Sequence, residues 1–332
     1  MRVLFFIQGY DYSSSRYRVL QYLPYLKQRG VRATVALYPP ALRDSRKIYQ
    51  KMGDYDVVFI QRKRPHPIFL HFLRHRAKKL VYDFDDAVMY RSANASSPYL
   101  ATRERQFSRI VKTVDHVVAG NTFLGDQARR YTDRVTVIPT AIDIKKYTKK
   151  NYTKKKTTVT MGWIGSSSTL PYLERIKGVF EVLGERYKHI ALKIICDTFF
   201  DCQKIPVLKK IWNEKDEIAD LKSLDIGVMP LTDDPWSRGK CGLTILQYHG
   251  VGLPVVCTPV GVNHDVVQNV VNGFWAMTEE EWVEKLSLLI EDSALRRKMG
   301  LRGREVVRES YSVQGCAPRF YKVLDEVIKK DA

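Results

Sequence analysis

Asp225-Ile226-Gly227-Val228-Met229-Pro230-Leu231 is a short, mostly apolar run, and Thr232 to Gly242 after it is a polar loop holding Asp233, Asp234, Arg238, Gly239 and Lys240. Gly242–Gly250 then reads as a helix, and Pro254–Cys257 as the next strand. Strand, loop, helix and strand in this order make the repeating unit of a parallel sheet. The same alternation extends in both directions. Upstream, Val3–Ile7, Val31–Leu37, Val57–Ile60, Leu80–Phe84, His116–Ala119 and Val135–Ile138 read as buried strands. Helical stretches intervene at Ser14–Arg29 and near 66–77, 99–112 and 122–131. A second series follows with strands Val159–Ile164 and Leu192–Cys196 and helices Pro171–Arg186, Ala219–Ser223, Glu279–Ile290, Arg302–Glu309 and about 313–330. Between the two series, Lys145–Lys156 carries seven lysines and no apolar periodicity. It reads as an interdomain linker, or alternatively as a long solvated loop inside one domain. The expectation is an α/β protein with two doubly wound domains, 1–150 and 151–312, and a last helix, 313–332, that crosses back to the first. Such domains bind ligands in the cleft at the carboxyl ends of their strands.

The 332 residues include 55 Lys and Arg against 36 Asp and Glu, a formal net charge of +19. Residues 1–150 hold 29 basic and 12 acidic residues, so about +17 of it lies in the first half. An asymmetry of this kind speaks of partners, not of fold. Arg62-Lys63-Arg64-Pro65-His66-Pro67, with Arg74, Arg76, Lys78, Lys79 and the interleaved Phe69 and Phe72, reads as a membrane-surface element or as a plain solvated face. No nucleic-acid motif accompanies it. Five scattered cysteines without a CxxC pair or a His/Cys cluster point to a reducing compartment and to no bound metal. The first apolar run is too short for a signal peptide, and no stretch has the roughly 18–20 apolar residues of a membrane span. The expected location is cytoplasmic, peripheral on the inner face of an anionic membrane.

Three loops carry candidate chemistry. In the quoted loop, a helix start beside Arg238 and Lys240 makes an anion site suited to a diphosphate, and Gly239 and Gly242 let backbone approach a ligand. An ordinary flexible loop is the alternative. Gly165-Ser166-Ser167-Ser168-Thr169 follows a strand and precedes a helix, so its hydroxyl and N–H groups can hold phosphate or simply cap the helix. Asp85 and Asp86, in Tyr82-Asp83-Phe84-Asp85-Asp86, end a strand. They can bind or orient a hydroxyl, hold a hard cation, or merely cap a turn. Arg16 and Arg18 open the first helix and can hold a phosphate, or lie exposed.

The stretch from Arg238 to Val256 resembles the donor-binding signature of glycosyltransferase family 4, E-x7-E, written in many members as E-P-F-G-L-x-x-L-E-A-M-A-x-G-x-P-V-V. It aligns on Gly242-Leu243 and on Gly252-x-Pro254-Val255-Val256, and departs at both glutamates, which are Gly239 and Gln247 here. A subgroup with R-G-K-x-G…Q-Y is the nearer likeness. Asp133–Asp143, Met161–Ser166, Asp225–Leu231, Leu295–Arg304 and Tyr311-Ser312 are similar to other family segments in the same order.

The resemblance implies a GT-B fold and a retaining, metal-independent transfer of a hexosyl or N-acetylhexosaminyl group. The donor would be a nucleotide-diphosphate sugar and the acceptor a glycan or lipid-linked hydroxyl in surface-glycan assembly, with no further cofactor. It implies donor contacts at Gly165, Ser166, Ser167, Arg238, Lys240, Cys241, Gly242, Leu243, Thr244 and Gln247. Gln247 stands where the family's ribose-binding glutamate is. A nucleotide-sugar epimerase of related fold and a non-catalytic sugar-nucleotide scaffold are the competing readings.

Overall fold

Strand β1 (Arg2–Ile7) shows why a parallel sheet forms. Val3, Phe5 and Ile7 point into one apolar layer, and Leu4 and Phe6 into the other, so both faces of the strand are covered. The structure, a computed structural model, describes residues 1–38, 50–91, 95, 97–153 and 157–329. The chain divides into two units, the first made of Met1–Ala141, Asp234–Cys241 and the C-terminal stretch from Val313, and the second of Ile142–Asp233 and Gly242–Ser312.

In the first unit β1 joins β2 (Arg32–Leu37), β3 (Val57–Gln61), β4 (Leu80–Phe84), β5 (His116–Ala119) and β6 (Val135–Val137) in the parallel order β2-β1-β3-β4-β5-β6. Helices α1 (Ser13–Arg18) and α2 (Leu23–Gln28) follow β1. Then come α3 (Pro67–Arg76), α4 (Ala101–Thr113) and α5 (Thr122–Arg129). The single helix expected over Ser14–Arg29 is two, because Pro24 has no N–H to give to an interior turn and stands at the start of α2. The last helix packs on this sheet: Phe320 lies 4.9 Å from the Tyr22 ring and 5.4 Å from that of Phe59.

The second unit has β7 (Val159–Ile164), β8 (Ile190–Cys196), β9 (Val207–Ile211), β10 (Ile226–Met229), β11 (Val255–Cys257) and β12 (Gly273–Trp275), ordered β12-β11-β10-β7-β8-β9. Its helices are α6 (Leu170–Glu174), α7 (Lys177–Arg186) and α8 (Glu217–Ser223). The chain between Asp233 and Gly242 carries α9 (Pro235–Arg238) within the first unit. Helices α10 (Leu243–Gly250), α11 (Val262–Val266), α12 (Glu279–Glu291) and α13 (Ser293–Ser310) follow, before the C-terminal α14 (Val313–Lys329). The lysine-rich run is built into this unit: Tyr147 and Lys150 are buried. The Lys150 ammonium is paired with Asp225 at 2.7 Å, and its backbone N–H donates to Val251 O at 3.0 Å. Residues 154–156 of the run and 330–332 at the C-terminus lie outside the described residues.

Candidate active site

Strand β4 delivers three carboxylates to the first unit. Asp83 is wholly buried inside the strand, and Arg18 of α1 is equally buried against it, with Nη2 2.5 Å from Oδ1 and Nη1 donating to Ile138 O at 2.7 Å. Burial opposes the charge on Arg18, but Asp83 outweighs it and holds the guanidinium firmly protonated. Arg18, expected as a phosphate ligand, is therefore committed to an internal ion pair. Arg16, on the same helix, lies over the Tyr17 ring at 5.2 Å.

Asp85 and Asp86 follow the strand and meet Arg62, the first residue after β3. This meeting is set by register, since Gln61 pairs with Asp83 across the two strands. Arg62 Nη2 forms an ion pair with Asp86 Oδ2, and Nη1 lies 3.9 Å from Asp85 Oδ1. Asp85 Oδ1 has no hydrogen-bond partner among the described residues. Burial pushes the Asp85 carboxyl up to about 6, with Arg62 opposing the rise and Asp86 adding to it. The backbone at Arg62 has φ +61°, and Lys63 N donates to Gln61 O at 2.7 Å, closing a three-residue turn centred on Arg62. A non-glycine residue held there costs roughly 1–3 kcal/mol, and such strain tends to gather at functional sites.

The segment Asp234–Cys241 packs against these acids. Asp234 caps α9, accepting from Ser237 N at 2.9 Å and from its hydroxyl at 3.1 Å. Asn121 Nδ2 donates to Arg238 O at 3.3 Å and Lys240 O at 3.0 Å, while Asn121 Oδ1 caps α5. A Cβ at Gly239 would lie 2.5 Å from Ala87 Cβ and 2.9 Å from Ala87 N. No side chain fits there. A Cβ at Gly120 would fall 2.5 Å from Cys241 Sγ and 3.0 Å from Asp85 Cα. Burial, with Asp85 adding to it, pushes the Cys241 thiol far above its ordinary range, so it stays protonated and unreactive. Lys240 Nζ lies 5.9 Å from the Trp236 ring centre, and Arg238 is exposed. Two loops far apart in sequence, at 85–86 and 238–241, thus share one neighbourhood. Arg62, Gly120 and Asn121 belong to it and were not among the expected site residues. The available signal was their position at strand ends.

The second unit carries the other expected residues at the carboxyl ends of β7 and β10. These neighbouring strands form its topological switch point, where connections leave in opposite directions and a crevice opens. After β7, Gly165 leads to exposed Ser166 and Ser167, and Ser167 already donates to Asp197, from N at 2.7 Å and from Oγ at 3.0 Å. After β10, Gly242 has φ +67°, which suits glycine, and caps α10 without a side chain. Leu243 and Thr244 are partly exposed on the first turn. Gln247 is not: it is buried, its Nε2 donates to Tyr147 Oη at 3.2 Å, and Tyr147 in turn donates to Glu217 at 3.1 Å. In this arrangement its amide ties helix α10 to Tyr147. His249 is packed against Gly303, and burial pushes its imidazole down to about 4, so it is neutral.

Residues 204–306 match the family model described as "Glycosyl transferases group 1". No curated protein matches the chain in sequence. Among solved structures, Anabaena HepE in complex with UDP and glucose is 15% identical at a TM-score of 0.74, covering 98% of this chain and 99% of that one. The sucrose-phosphate synthase of Thermosynechococcus elongatus is 14% identical at a TM-score of 0.73, with 98% of each chain covered. A glycosyltransferase from Rickettsia africae is 12% identical at 0.70, with 99% of each covered. The matched segment contains the cationic loop and helix α10 that were singled out from residue types alone. The chain therefore has the fold of the GT-B glycosyltransferases and, at residues 204–306, the sequence pattern of glycosyl transferases group 1, which together support a glycosyltransferase.

Proposed function

We propose that this protein is a retaining glycosyltransferase that moves a sugar from a nucleotide-diphosphate sugar to an acceptor hydroxyl, in the manner of family 4. The observation that carries the proposal is the group 1 match over residues 204–306, which include the cationic loop and helix α10. In the reaction, the bond from sugar C1 to the diphosphate oxygen breaks and the acceptor oxygen bonds to C1 on the same face. The acceptor proton passes to the departing phosphate oxygen. Negative charge grows on the diphosphate, so fixed donors and cations aimed at it lower the barrier. Arg238, Lys240, the N–H groups at Gly242–Thr244 and the loop Gly165–Ser167 are the donor residues of this proposal. Asp85, whose Oδ1 has no hydrogen-bond partner among the described residues, is the residue proposed to orient the acceptor hydroxyl. Asp86 is neutralised by Arg62. The UDP bound by Anabaena HepE makes a uridine nucleotide sugar the first donor to test. The test is incubation with a panel of nucleotide sugars and simple glycan or glycolipid acceptors, followed by product analysis. Acceptor-dependent nucleoside-diphosphate release supports transfer, whereas isomerisation of a donor without acceptor would support the epimerase reading.

Peripheral attachment to an anionic membrane belongs to the same proposal. No helix among the described residues is long and apolar enough to cross a bilayer. The basic cluster is thinner than its sequence suggests: Arg62 serves the acid pair, Arg64 donates to Val88 O, and Arg74 is paired with Asp115 at 2.5 Å. Exposed Ile68 and Arg76 remain on α3, and exposed Lys78 beside it lies 3.9 Å from Asp56 Oδ1. Lysine or arginine near such a surface contributes about 1 kcal/mol each. Flotation with anionic vesicles should recover the protein at low salt and lose it at high salt. Equal recovery with neutral vesicles, or none with either, would assign the charge to another partner.

A further inference from the structure

We propose that Arg62 is the positioning residue of the acid pair, holding Asp86 as its ion-pair partner and keeping Asp85 ionised for the acceptor hydroxyl. This deepens the glycosyltransferase reading and rests on it for the identity of the hydroxyl. Arg62 follows β3, its N–H donates to Asp83 O at 2.7 Å, and it occupies the centre of the three-residue turn at φ +61°. Glycine would take that conformation freely, whereas arginine takes it under strain. The guanidinium makes use of the strained position. The turn aims it back across the register onto the two residues that follow β4, reaching Asp86 in an ion pair and Asp85 Oδ1 at 3.9 Å.

The charges around Asp85 show why such a group is needed. From its own loop Asp86, and from β4 Asp83 and Tyr82, face it. Arg18 approaches from α1 and Cys241 from the segment after α9. Asp83 already has Arg18 as its partner, and Cys241 stays protonated. Burial and the neighbouring carboxylate both work against a charge on Asp85, and Arg62 is the strongest influence opposing them. An opposite charge within 4–6 Å typically lowers a carboxyl by about one to three pH units. Without Arg62, Asp85 would be protonated near neutrality and would offer a hydroxyl in place of an acceptor oxygen.

The experiment is a carbon-13 carboxyl titration of Asp85 in the full chain, with the resonance assigned by its loss in Asp85→Asn. Wild type should titrate near pH 6. Arg62→Gly keeps the turn and removes the guanidinium, so Asp85 should titrate at about pH 7 or above. Arg62→Gln provides the same test if the glycine variant does not fold. Arg62→Lys, with the charge restored, should bring the midpoint back toward wild type. The acid limb of kcat/KM should move with the carboxyl in each variant. An unchanged Asp85 midpoint in Arg62→Gly or Arg62→Gln overturns the proposal, whatever happens to the rate. A shifted midpoint in a protein that transfers no sugar from any donor keeps Arg62 in its place and defeats the glycosyltransferase reading instead.

Discussion

Asp85→Asn is expected to abolish sugar transfer while making the protein more stable. A carboxyl that burial lifts from 3.8 to about 6 resists ionisation in the folded state. The folded value lies above the unfolded one. The favourable contribution of protonated Asp85 is therefore fully present below about pH 4 and lost as the pH rises through about 6. At pH 7.5 the wild-type protein carries a charge that the fold disfavours, whereas asparagine carries none. Each pH unit of displacement corresponds to about 1.4 kcal/mol, so the gain should be on the order of 1–3 kcal/mol, or a few degrees in Tm. The two proteins should converge in stability near pH 4. The activity should fall by about 100-fold or more, the usual cost of losing a positioned acid–base group. Stability gained with function lost is the mark of a residue kept for its chemistry. Asp86→Asn should do the opposite on the stability side, since it removes the partner of Arg62. Calorimetry between pH 4 and 8 with a transfer assay at pH 7.5 decides the matter. A destabilised Asp85→Asn, or one that transfers at the parent rate, would remove Asp85 from the site.

Arg18→Ala should be the most destabilising single change discussed for this chain, and it separates two readings of that residue. Arg18 is 1% exposed and Asp83 is fully buried, with the guanidinium bonded to the carboxylate and to Ile138 O. Removing one member leaves a carboxylate in an apolar sheet without its cation, a loss of about 3–5 kcal/mol. Replacing the pair by Arg18→Met with Asp83→Leu should cost far less, because no charge is then stranded. Urea unfolding of the single and double variants tests this directly. An Arg18→Ala protein as stable as the parent, but with weakened nucleotide-sugar binding, would restore the phosphate role that the sequence position suggested.

These two residues show how far the sequence could be read. Strand–helix alternation exposed ten of the twelve strands among the described residues, because buried parallel strands are continuous apolar runs. It missed β9 and β12. β9 is an edge strand whose Lys209 and Lys210 break the apolar pattern, and β12 has three residues. The polar loops at strand ends were legible from composition, and Asp85, Asp86, Arg238 and Lys240 came from them. What the pattern could not supply was direction. Arg16 and Arg18 are two residues apart on one short helix, and the pattern does not tell that Arg18 turns inward to a carboxylate 65 positions away. Gln247 aligns with a ligand-binding position and is tied to Tyr147, 100 residues earlier. Arg62 sat in a run that read as surface charge, and only the pairing of β3 with β4 shows that it belongs to the acids. Each case is a long-range contact, and periodicity reports only the local chain.

Sugar transfer from a nucleotide-diphosphate donor is proposed to proceed with retention of configuration. Proton NMR of the first-formed product, with an α-linked uridine-diphosphate sugar and a glycoside or glycolipid acceptor, measures it directly. The account predicts an α-linked product, formed in step with uridine diphosphate and lost in Asp85→Asn. A β-linked product would contradict the proposed same-face displacement, and an α-linked product formed equally well by Asp85→Asn would contradict the site.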